Sequence, residues 1–198
     1  PAPTPAPTPA PTRATPVPMP AAVTKFQSEI KMADVTKFDI AGYTEAVAAA
    51  SGVDRGDVIV TDVDYQVSVV YGLPVEITDS QIVKAIADLQ NVAESAVKVS
   101  LSAFRIPGLS AKQVVITTEN PEDVVIIAMK ANETDMLKDS FQSTANLDVS
   151  ELTVASLPER VVQVVTQLET FSSEAHDVPN AVVLSEKLDE SFGVTGTA

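Results

Sequence analysis

From residue 23 onward the chain is ordered by where its apolar side chains fall. In residues 24–32, Phe26, Ile30 and Met32 lie on one side of an extended chain, while Lys25, Gln27, Glu29 and Lys31 lie on the other. Period-two alternation of this kind predicts a half-buried strand. Residues 41–51 are Ala-rich and predict a helix, with Gly52 just beyond its end in the left-handed cap position. Residues 57–64 and 66–77 read as two Val-rich strands, with Gly72-Leu73-Pro74 marking a bend or edge. Asp79 stands where an N-cap is expected for a helix over 80–90, whose apolar stripe is Ile82, Val83, Ile86 and Leu89. A strand over 96–104 completes a β-α-β-β-α-β order.

The second half repeats this order. Residues 112–118 and 123–130 are both β-like, 134–145 is helical, 159–168 is β-like, and 178–192 contains a helix. Shifted by 94 positions, residues 52–63 lie over 146–157 with Gly52 on Asn146, Val58 on Leu152 and Val60 on Val154; Val67/Val161 and Val70/Val164 continue the match without a gap. The expected architecture is therefore α+β: two tandem ferredoxin-like β-α-β-β-α units preceded by an extended arm and a strand. The boundaries implied are an arm over 1–22, a first unit over 23–106 and a second over 107–198, with Pro107-Gly108 as the break. A single larger α+β domain is the competing reading.

Composition changes the picture at the N-terminus. Of the 14 prolines in the 198 residues, nine fall within the first 20, and residues 1–12 are three copies of Pro-Ala-Pro-Thr. Proline fixes its own φ and biases the residue before it away from the helical region, so an extended polyproline II rod of roughly 60 Å is expected for this tract. Its prolines are an even number of residues apart, so no Pro-x-x-Pro ligand occurs in the repeat. A four-residue repeat on a three-residue turn spirals Thr4, Thr8, Thr12 and Thr15 around the rod, where they are candidates for O-linked sugars. The strand over 24–32 follows directly, and a strand on a stiff arm can complete a neighbour's sheet.

Charge and residue types remove most chemistry. Thirteen basic against 27 acidic residues give a net charge of −14, which argues against nucleic acid, since phosphate contacts need Lys and Arg. With no cysteine and one histidine, His176, neither a thiolate nor the usual zinc site can be assembled. No nucleophile elbow, Walker loop or dinucleotide fingerprint accompanies His176, so the chain is read as a non-enzyme without a cofactor. A hydrolase using His176 is the outlying alternative. Asp62 and Asp64 share a strand face and are weak candidates for a hard cation; a solvated acidic face is the plainer reading. Arg55-Gly56-Asp57 is read as the turn entering a strand. Asn132-Glu133-Thr134 is an N-glycosylation sequon at a turn. No apolar run is long enough for a membrane span, and Pro1 in place of Met reads as a mature or partial chain.

Two resemblances follow from these residues. The pattern over 26–70, a strand, an Ala-rich helix, Gly52-Val53-Asp54 and a Val-rich strand pair, resembles the ferredoxin-like or SEA-like modules of algal and protist surface proteins. The Pro-Ala-Pro-Thr repeats with a strand behind them resemble subunits of extracellular glycofibrils, whose Pro/Thr repeats carry glycans and whose subunits are joined by donor strands. The second resemblance implies a structural subunit of an extracellular glycosylated fibril or surface appendage. Copies of itself would be its partners, residues 1–32 would drive assembly, and Phe26, Ile30 and Met32 would seat in an adjacent sheet. The alternative expectation is an acidic cell-surface or cell-wall module that holds a glycan or calcium on a Pro-rich stalk.

Overall fold

The computed structural model describes residues 22–147 and 149–170. They form six strands, β1 (Ala22–Lys31), β2 (Val58–Leu73), β3 (Val97–Leu101), β4 (Ser110–Thr118), β5 (Thr153–Val154) and β6 (Glu159–Thr170). Four helices stand between them: α1 (Ile40–Ser51), α2 (Asp79–Gln90), α3 (Asp123–Asn132) and α4 (Thr134–Ala145). All six strands belong to one antiparallel sheet in the order β1-β6-β2-β4-β3, with the short β5 pairing the end of β2. The class is α+β. The arm over residues 1–21, with Thr4, Thr8, Thr12 and Thr15, lies outside the described residues, as do Asp148, His176 and the helix expected within 178–192.

The two halves do not follow one another as separate sheets. β1 pairs β6 over ten residues, Ala22 opposite Thr170 through Lys31 opposite Val161, and β4 pairs β2 from Tyr65 opposite Thr118 to Leu73 opposite Ser110. The β1-α1-β2 unit therefore has β6 between its strands, and the unit running from β4 through α3 and α4 to β6 has β2 between its own. Each half supplies the strand that fills the other. α1 and α4 lie 94 positions apart along their whole length and both end on a left-handed residue, Gly52 at φ 68° and Asn146 at φ 51°. The paired centres of β2 and β6, Gln66 opposite Val161 and Val67 opposite Arg160, exchange under the same offset.

Three local expectations are corrected. Residues 123–130 are helical, as α3, because Val124, Ile127, Ala128 and Ala131 recur at helical spacing and all are buried. The two strands expected over 57–64 and 66–77 are one strand, β2, which ends at Leu73, and in it a bulge between Val60 and Asp62 switches the side facing the core: Val58 is buried before it, Val67, Val69, Tyr71 and Leu73 after it. The N-cap of α2 is Thr78, whose hydroxyl accepts from Gln81 N at 3.4 Å while Gln81 Oε1 accepts from Thr78 N at 2.9 Å. This reciprocal pair is a capping box. It leaves Asp79 to meet Lys112 Nζ at 2.7 Å.

One face of the sheet and the helices enclose a single core of Val, Ile, Leu and Ala with Tyr43, Tyr71 and Phe141 inside. Tyr71 spans it, donating from its phenol to the Ala131 carbonyl of α3 at 2.8 Å. The opposite face carries Lys25, Gln27, Glu29 and Lys31 on β1, all exposed, and Gln163, Val165 and Gln167 on β6, half-buried. A second small packing region closes its far end. There Gly72 leaves no space for a Cβ, which would stand 2.6 Å from Thr153 Oγ1 and 2.8 Å from Ile106 Cδ1.

Candidate functional site

β1 is the edge of the sheet and the first described element after the Pro/Thr tract. Its alternation does what the sequence predicts. Ile30 is 2% exposed, and Phe26 and Met32 are partly buried against the core. Between them Ser28 turns inward, where Tyr43 of α1 donates its phenol to Ser28 Oγ at 3.1 Å and lies 2.8 Å from Thr166 Oγ1 of β6. Burial pushes the Tyr43 phenol above its ordinary value, against the opposing effect of those two hydroxyls. At the far end Met32 N donates to Arg160 O at 3.0 Å, Arg160 donates to the Ala33 carbonyl at 2.6 Å, and Lys31 meets Glu159 at 2.9 Å across solvent. The strand is thus held by backbone pairing, two or three apolar side chains and one hydroxyl network. In the described structure β1 pairs β6 of its own chain.

The acidic pair sits two strands inward. Asp62 is exposed just after the bulge, and Asp64 is half-buried beside a shallow cleft of about 270 Å³ that Gln66, Lys98, Thr117 and Glu119 also line. Desolvation raises the Asp64 carboxyl above the usual value; the charges of Asp62 and Glu119 push the same way, and Lys98 opposes them. The bulge preserves the shared face predicted for the pair. Among the described residues no group of three or more His, Cys, Asp or Glu side chains converges as a metal centre would. Arg55-Gly56-Asp57 is a single 3-10 turn leading into β2, with Asp57 N bonded to Asp54 O at 2.9 Å.

Asn132 is exposed at the last position of α3, and Glu133 links it directly to α4. Beside it lies a feature that sequence reasoning missed: Met129, 64% exposed, stands on the outside of α3, and Leu157, 78% exposed, rises from the loop before β6 to line the same groove. Reading 123–130 as a strand hid this outer side. The signal was present in Asn120-Pro121-Glu122-Asp123, a helix-start pattern in which Asn120 Oδ1 accepts from Glu122 N at 3.1 Å.

No protein-family model, curated protein or solved structure matches this chain. No described helix is long and apolar enough to cross a membrane.

Proposed function

We propose that this chain is a non-enzymatic structural subunit of an extracellular, glycosylated fibril or surface appendage, assembled through its N-terminal arm and β1. In this reading residues 1–22 are a polyproline II arm, Thr4, Thr8, Thr12 and Thr15 carry sugars, and the two halves are repeats of one ferredoxin-like unit. The observation that carries it is the place of β1: an edge strand, following the Pro/Thr tract in sequence, whose partner β6 is an inner strand from the second half of the chain. The same pairing can be made by β1 of one copy with β6 of the next. Because that contact is head-to-tail it propagates as a filament unless the rotation closes.

The chain has no cysteine, so a pair introduced across β1 and β6 reports the pairing directly. Gln27 and Val165 are opposite one another on the water-facing side. With Gln27→Cys and Val165→Cys oxidised in the assembled state, donation yields covalently linked chains in a ladder on a non-reducing gel. Monomers alone, in material that has polymerised, would refute strand donation. Deleting residues 1–32 tests the wider claim, and unchanged polymerisation would remove the arm and strand from assembly. The acidic-module reading draws on Asp62, Asp64 and Glu119; loss of fold or of glycan binding on dialysis against a chelator would favour it.

A further inference from the structure

The outer side of α3 carries a stripe that the core leaves unused. Val125, Met129 and Asn132 follow at i, i+4 and i+7, the spacing of neighbours along one helix face. Met129, Asn132, Leu157 and Pro158 line one shallow groove of about 310 Å³. Single exposed apolar side chains are ordinary, but a group gathered around one groove marks a surface that something covers. Asn132 identifies the cover, since it opens the sequon Asn132-Glu133-Thr134 and is exposed in that groove.

We infer that Asn132 bears an N-linked glycan whose first sugars lie along α3 over Met129 and against Leu157. The inference rests on the extracellular reading above, because N-linked glycans are added to secreted chains. In the transfer, the Asn132 side-chain nitrogen bonds to the anomeric carbon of an oligosaccharide carried on a lipid diphosphate. The carbon–oxygen bond to the diphosphate breaks, the lipid diphosphate leaves with that electron pair, and one amide proton is released. Helical side chains tilt towards the N-terminus of their helix, so Asn132 leads its substituent back over Met129. At the helical rise Val125 lies roughly 10 Å from Asn132, the reach of roughly two linked pyranose rings. The C–H faces of such rings suit a flexible thioether and a leucine.

The test is the full chain secreted from a glycosylating eukaryotic host. Intact mass and peptide mapping should place N-acetylhexosamine and hexose on Asn132, lost in Asn132→Gln and Thr134→Ala and retained in Thr134→Ser. Enzymatic removal of the glycan from the folded protein should raise binding of an apolar dye several-fold, and a Met129→Ser, Leu157→Ser double variant should abolish that rise. An unmodified Asn132 in folded, secreted protein overturns the inference, and so does an occupied site whose release leaves dye binding unchanged. Polymerisation of the unmodified protein would retain the assembly reading while sinking this one; occupancy without polymerisation would do the reverse.

Discussion

Tyr43 of α1 and Thr166 of β6, 123 positions apart, meet with their hydroxyl oxygens 2.8 Å apart inside the core. Ser28 of β1 completes the group at 3.1 Å, so one phenol joins a helix of the first half, the central strand of the second and the edge strand between arm and sheet. Replacing Tyr43→Phe leaves two buried hydroxyls short of a partner and should cost about 1–3 kcal/mol, read as a lower urea midpoint at unchanged slope. Burial raises the folded-state pKa of this phenol. Its stabilising contribution is therefore complete below about pH 10, the unfolded value, and is lost as pH rises through the folded value. Tyr43→Phe should flatten that alkaline decline, and an identical decline in both proteins would show that the phenol has no part in it.

Helical rather than extended geometry over 123–130 makes Ile126 and Ile127 unequal. Ile127 is 3% exposed and Ile126 55%. Ile127→Ala should destabilise by about 2–5 kcal/mol, whereas Ile126→Ala should stay within about 0.5 kcal/mol. Chemical denaturation of the two variants decides the matter, and a reversed ranking would put the helix in the wrong register.

Gly72 is a test of close approach. A methyl group there would collide with Thr153 and Ile106, so Gly72→Ala should lose about 1–3 kcal/mol through overpacking. Adding Thr153→Ser keeps the Oγ that stands nearest and should restore little, while Thr153→Gly should restore more; equal unfolding midpoints for Gly72→Ala and the parent protein would contradict the packing.

Asp64 should be a burden at neutral pH. Its carboxyl is raised by desolvation first and by Asp62 and Glu119 next. A folded-state value above the unfolded one means that stability falls as pH rises through the interval between them, which begins near pH 4. Asp64→Asn should then unfold at a higher urea concentration than the parent at pH 7, and the advantage should vanish near pH 3, where Asp64 itself is protonated. An advantage of the same size at both pH values would assign it to something other than charge.

Much of this fold was legible in local pattern. The alternation around Phe26 and Ile30, the stripe of α2 and the paired caps Gly52 and Asn146 are properties of a few consecutive residues, and side-chain period or backbone conformation alone identifies them. The misreadings have equally local causes. One extra residue at Thr61 reverses the inward side of β2, so Val58 and Val67 seem out of phase and the strand looks broken. Val124-Val125-Ile126-Ile127 is β-branched throughout and outweighed the helix-start pattern at Asn120-Pro121-Glu122-Asp123 and the helical spacing of Val124, Ile127, Ala128 and Ala131. The partner of each strand was not legible, because pairing β1 with β6 depends on contacts across more than a hundred residues. For the candidate site, the strand face and the acidic pair could be read; the apolar groove beside Asn132 could not, since Leu157 reaches it only through the tertiary fold.

The interleaved strand order also sets a timetable. β6 is the last described strand to leave the ribosome, and β1 is the first. At about 5–20 residues per second, β1 is made on the order of 10 s before its partner in the same chain exists. In this interval β1 lacks its sheet neighbour, because among the described strands it pairs β6 alone. Until residue 170 is made, β1 therefore has an open edge that no other described strand of its own chain fills.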